Sequence, residues 1–173
     1  MTEHLWPYLR LKAPSDEELK EAYRRVFIES YVRTSDGKEI EIFDWMGNRV
    51  LFNPRTFEHA FSESTDYRFG DGSHDVPFSK KRARCILWIK EVLAASKGRI
   101  ERRVQLRQDS RGKLRKRRAL IVVEERYVVV LEERKEPNLL EFITAFPSDE
   151  NYLKKIRRES GLIEIKNPSL NGD

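Results

Sequence analysis

The strongest constraint on how this 173-residue chain folds is the stretch from residue 119 to residue 147. Leu120, Ile121, Val122 and Val123 form an apolar run, and Glu124, Glu125 and Arg126 a charged turn after it. Tyr127 to Leu131 is a second run, and residues 139–146 are a third. Three β-branched and aromatic runs at short spacing predict an antiparallel meander. The first two are apolar at nearly every position, so little of either face is left to water, and the meander belongs in the middle of the fold. Thr144 is a hydroxyl near the end of an otherwise apolar strand. Two readings follow: a packed sheet beside a charged arm, or the floor of a site for a polyanion.

The charged arm is residues 99–118, with ten Arg or Lys and two acids. That segment carries +8 of a chain whose net charge is +5, leaving −3 for the remainder. Such asymmetry points to a polyanionic partner, nucleic acid above all. The bland alternative is a solvated, partly disordered loop. With 39% hydrophobic and 36% charged residues the chain is highly charged but globular. Its length suits a single domain with a core that needs no staples. No apolar run approaches the roughly 20 residues of a membrane span, and Met1-Thr2-Glu3-His4 has no signal-peptide pattern. The single cysteine, Cys85, leaves no internal disulfide and no cysteine-based zinc site. The expectation is a cytoplasmic protein with no membrane partner.

Residues 15–30 predict a helix. Ser15 and Glu18 form a capping-box pattern, and Leu19, Ala22, Tyr23, Val26 and Phe27 make one apolar stripe. Residues 31–43 read as a hairpin around Asp36-Gly37, and Val50-Leu51-Phe52 as a further strand. Asn53-Pro54 opens a short helix with Phe57, Ala60 and Phe61 on its apolar side. His59 lies roughly 150° from that stripe, so it faces water or a cleft. Residues 62–77, with Gly70-Asp71-Gly72-Ser73 and His74, read as a loop. Ser79 caps a helix expected to run to Ser96, apolar round most of its circumference. Its first turn carries Lys80, Lys81, Arg82 and then Arg84, where acids are preferred, so an anion docked at that end would offset the cost. Residues 100–106 predict a strand, with a turn at residues 108–113. Ser148 caps a last short helix closing at Gly161, and residues 167–173 a flexible tail.

Metal and cofactor chemistries find no motif: no His-Glu-x-x-His, no glycine-rich phosphate loop, no Gly-x-Ser-x-Gly elbow. Cys85 sits among apolar neighbours as an inert thiol. Phosphodiester chemistry without a metal or cofactor remains. RNA carries its own nucleophile, the 2′-OH. A protein need only move protons, which suits His59, and hold the phosphate charge, which suits Arg and Lys.

Four stretches carry a resemblance: Phe57-Glu58-His59-Ala60-Phe61, Phe78-Ser79-Lys80-Lys81-Arg82-Ala83, Tyr127 to Leu131, and Phe142-Ile143-Thr144-Ala145-Phe146-Pro147. Together they resemble the barnase–EndoU–colicin–RelE (BECR) superfamily of metal-independent ribonucleases, in its phage-associated and toxin branch. The resemblance spans residues 50–158. It implies an α+β fold, with N-terminal helices packed on a curved antiparallel sheet and a short C-terminal helix. On that view residues 1–45 are an N-terminal extension and residues 46–166 the core. It also implies His59 in proton transfer, Arg82 on phosphate and Thr144 as a last-strand hydroxyl. Lys81, Arg84, Lys113, Arg115, Arg118 and Tyr127 are further candidates for binding nucleic acid. The expected partner is RNA, with an acidic inhibitor or antitoxin protein as a second. Alternatives are a non-catalytic nucleic-acid-binding module using residues 99–118, or an interaction protein of a phage or toxin–antitoxin system.

Overall fold

The computed structural model describes residues 3–63 and 77–168. The predicted turn at Gly70-Asp71-Gly72-Ser73, His74 and residues 169–173 of the predicted tail lie outside that range. The protein is α+β. A curled seven-stranded sheet, mostly antiparallel, carries helices on both faces.

Helix α1 spans Asp16–Phe27, and Ser15 caps it as expected, its Oγ accepting the Glu18 N–H at 3.1 Å. The helix then widens into a π-type turn, Ile28–Val32, rather than giving way to a strand. Tyr31 explains the difference. Its ring is buried, its hydroxyl donates to the Ile86 carbonyl at 2.5 Å, and it accepts the Lys90 N–H at 3.2 Å. Burying that ring outweighs the local preference for extended backbone. Of the predicted hairpin there remain an Arg33–Glu39 bridge, with Gly37 at φ 84°, and a two-residue strand β1, Ile42–Phe43. Strand β2 is Arg49–Leu51, and helix α2 is Thr56–Ala60.

Ser79 does cap a helix, accepting the Arg82 N–H at 3.1 Å, but the long helix expected after it is broken. Helix α3, Lys80–Ala83, and helix α4, Trp88–Ala94, are separated by tight i→i+3 turns such as Cys85 N–H to the Arg82 carbonyl. Five consecutive apolar residues, Cys85 to Ile89, would wrap right around one helix; the turn instead folds four of them into the core. Strands β3 (Ile100–Gln108) and β4 (Leu114–Val122) form a long hairpin whose turn is held by the Asp109 carboxylate, which accepts the Arg111 and Lys113 N–H groups at 2.9 Å. Strands β5 (Tyr127–Glu133) and β6 (Leu139–Pro147) complete the meander. Helix α5, Glu150–Arg158, is capped by Asp149, one residue later than expected. Strand β7, Gly161–Lys166, was not anticipated; it pairs antiparallel with β3. The strand order is β1-β2-β6-β5-β4-β3-β7, with β2 parallel to β6.

The meander has both faces covered, as its composition requires. On one face Leu120, Val122, Tyr127, Val129 and Phe142 meet the helices. Phe27 touches Phe52, Phe57, Phe61 and Phe142, and Phe52 stacks on Phe142 at 4.9 Å. Trp6, Tyr23, Phe27 and Tyr31 belong to this same core, so residues 3–45 contribute to it directly. On the other face Ile121 and Val128 take Leu153 of α5. One nine-residue helix cannot cover four long strands, and a cleft remains beside it.

Candidate functional site: a cleft between the sheet and the last helix

The cleft has a volume of about 1110 Å³. Strands β3–β6 form its floor, α2 and α3 contribute His59 and Arg82, and α5 contributes Tyr152 and Lys155. His59, Arg82 and Thr144 therefore line one space, although they are far apart in sequence.

Thr144 reaches the cleft because of a bulge. Val130 pairs with Thr144 but Leu131 pairs with Phe142, leaving Ile143 as the extra residue. Strict alternation would put Thr144 on the same face as Phe142, in the core. The bulge turns both Ile143 and Thr144 to the cleft while Phe142 and Ala145 stay buried.

Arg82 projects from α3 onto that hydroxyl. Its Nη1 donates to the Ala60 carbonyl at 3.2 Å and lies 3.5 Å from Thr144 Oγ1, and its guanidinium sits 5.1 Å from the centre of the Phe146 ring. Burial lowers the pKa of this guanidinium, yet arginine stays charged at neutral pH. His59 presents an exposed side chain at the rim, opposite the buried Phe57 and Ala60 of its own helix. Partial enclosure in the cleft lowers the His59 pKa, and the positive charges of Arg82 and Arg117 lower it further. At neutral pH the imidazole is thus held neutral, able to accept a proton.

The other predicted contacts divide. Lys81 is exposed and off the cleft, and Lys80 pairs with Asp16 at 2.9 Å, so no row of cations converges on a helix end; α3 is in any case a single turn. Arg84 lies over the Tyr8 ring at 4.7 Å, away from the cleft. Lys113 is exposed at the hairpin tip. Arg115 pairs with Asp109 and Glu132, and Arg118 with Glu133 at 3.4 Å on the opposite face from Arg117. Tyr127 cannot serve as a nucleic-acid contact. It is fully buried against Trp88, its hydroxyl donates to the Cys85 carbonyl at 3.4 Å, and burial raises its pKa far above the usual value.

The basic stretch is an ordered hairpin whose cations are largely paired with acids. Arg103 meets Glu101, Lys116 meets Glu133 and Arg117 meets Glu132. Among the described residues Arg107, Lys155 and Arg158, all lining the cleft, take part in no ion pair. Sequence reasoning missed these, together with Arg117, Phe146 and Tyr152. The available signal was α5, where Tyr152 and Lys155 lie one turn apart beside the anchor Leu153. Among the described residues no group of three or more His, Cys, Asp or Glu is placed to hold a metal ion, and no helix is long and apolar enough to cross a membrane.

Comparison with known proteins adds no relative: no protein family, no curated protein and no solved structure matches this chain.

Proposed function

We propose that this protein is an endoribonuclease that cleaves RNA in the cleft by metal-independent transesterification. The observation that carries the reading is the convergence of His59, with its depressed pKa, Arg82 and Thr144 in one basic cleft. In this mechanism neutral His59 accepts the proton of the 2′-OH. The 2′-oxygen attacks phosphorus, and the bond from phosphorus to the 5′-oxygen breaks. Arg82 donates to the non-bridging oxygens as negative charge builds on them, and the Thr144 hydroxyl donates a further hydrogen bond. Lys155 lines the same cleft and supplies the proton for the departing 5′-oxygen. The products are a 2′,3′-cyclic phosphate and a free 5′-OH, with atoms and protons balanced. Arg107 and Arg158 attract the flanking phosphates.

The test is incubation of purified protein with RNA in excess EDTA, with product ends identified by mass. Cleavage that leaves cyclic phosphate and is lost in His59→Ala supports the mechanism. Intact RNA that is nevertheless bound, with an affinity falling steeply as salt rises, would instead favour the non-catalytic binding module.

A further inference from the structure

Past the cleft, the β3–β4 hairpin continues as an arm. β7 pairs with β3 only as far as Val104, and β5 pairs with β4 only as far as Arg117. Residues 105–116 therefore run on as two strands and a turn, with no third strand beside them among the described residues. Alternation puts Leu106 and Leu114 on the same sheet face as Ile100 and Leu120. Leu106 is opposite Lys116 and Gln108 is opposite Leu114, so the two leucines are diagonal neighbours. Ile100 and Leu120 are covered by the core, but the leucines lie beyond it. At 63% and 62% exposure they are the most exposed large hydrophobic side chains among the described residues. One exposed leucine needs no explanation; two side by side on a projecting arm mark a contact surface.

The charge around them is one-sided. From Leu106 to Lys116 there are five Arg or Lys and one acid. The acid, Asp109, is turned inward: it accepts the Arg111 and Lys113 N–H groups at 2.9 Å and pairs with Arg115 at 3.3 Å. Lys116 pairs with Glu133, and Arg107 lines the cleft. The side chains of Arg111 and Lys113 remain, exposed at the tip and in no ion pair among the described residues. The Asp109 bonds also hold the turn in one shape, so leucines and cations are presented together without further ordering.

Nucleic-acid phosphates would satisfy these cations and leave both leucines in water. A protein partner must match shape over about 800 Å² a side. An anionic lipid surface asks only for apolar side chains and cations at one depth, which this tip supplies. We propose that the hairpin tip docks on an anionic lipid surface, with Leu106 and Leu114 entering the boundary between headgroups and acyl chains and Arg111 and Lys113 held by the headgroups. The contact is peripheral. It departs from the expectation of no membrane partner, which rested on the lack of a span, and it does not depend on the ribonuclease reading.

The test is co-sedimentation of the full chain with vesicles of phosphatidylcholine alone, and with vesicles containing about 30 mol % phosphatidylserine, at about 0.1 M salt. Two double variants are compared, Leu106→Gln with Leu114→Gln and Arg111→Ala with Lys113→Ala, with thermal melts to verify folding. The protein should bind the anionic vesicles and not the neutral ones. The arginine–lysine variant should lose about thirtyfold in partitioning, at roughly 1 kcal/mol per cation. The leucine variant should lose about tenfold. Equal binding to both vesicle types, or to neither, would overturn the proposal. So would a leucine variant that binds as the parent does, since the attraction would then be charge alone. Anisotropy of a labelled RNA supplies the last arm: losses in the leucine variant as large on RNA as on vesicles would make the arm a nucleic-acid surface and sink the lipid reading.

Discussion

The protein has two basic regions, and they are built oppositely. The β3–β4 hairpin holds the densest run of Arg and Lys in the chain, yet Arg103, Arg115, Lys116, Arg117 and Arg118 each face a carboxylate on their own or a neighbouring strand. The cleft has fewer cations. Its central one, Arg82, is hydrogen-bonded to an uncharged carbonyl and lies near a hydroxyl, and burial disfavours its charge. A cation held by neutral partners in partial burial exerts its field undiminished; one beside a carboxylate exerts less of it, though Arg117 still helps to lower the His59 pKa. Cross-strand pairs spend the hairpin's charge on holding strands together. Charge counted along a chain is thus a poor guide to where an anion would go.

The comparison is broken most severely at the cleft. His59→Ala should reduce RNA cleavage by about 10²–10⁴-fold, the usual worth of a general base, with an unchanged melting temperature. Arg82→Ala should cost about 10²–10³-fold in kcat, as for other removed donors to a developing anion. It should also raise the His59 pKa, since the Arg82 charge is one of the causes holding it down. The sign follows from the base role. On the proposed mechanism only neutral His59 would be active, and its pKa lies below the ordinary 6.5, so activity should persist as pH falls through 6.5 and be lost only below that lowered pKa. In an Arg82→Ala protein with measurable residual activity, that acid limb should move up toward 6.5; a fixed limb would mean that another group titrates.

Leu153→Ala tests the cleft's far wall. It should destabilise the fold by about 2–4 kcal/mol in urea titrations and reduce cleavage through loss of α5 from the sheet. The Glu101 network supports the same helix from the hairpin side, with Arg157 Nη2 at 2.7 Å and Arg103 Nε at 2.8 Å. Burial alone would raise the Glu101 pKa, but these two guanidiniums over-compensate and hold it below the usual carboxylate value. Its contribution is therefore present at neutral pH and lost as pH falls through that lowered value. Glu101→Gln should weaken stability near pH 7 by about 1–2 kcal/mol and flatten its acid dependence. The smallest effects belong to the hairpin tip. Arg111→Glu with Lys113→Glu should change RNA affinity less than Lys155→Ala, which should lower the salt slope by about one counterion. A larger loss at the tip would restore the basic hairpin as the binding surface.

The locally encoded parts of this fold were legible in the sequence. The Ser15 and Ser79 caps, the Asp36-Gly37 turn and the strands of the meander each depend on residues within a few positions of one another. The outward placement of His59 followed from helical spacing alone. What tertiary structure decided was everything that depends on a distant partner. Tyr31 became helical because its hydroxyl donates to the Ile86 carbonyl and accepts the Lys90 N–H. Tyr127 turned to the core while Val128 beside it turned to α5. Strand β7 exists because β3 offers it an edge. Above all, alternation would bury Thr144, and only the bulge at Ile143, set by the register of β6 on β5, turns it toward Arg82. A one-residue slip in pairing reverses every side chain beyond it, and pairing is a property of two strands that neither sequence carries alone.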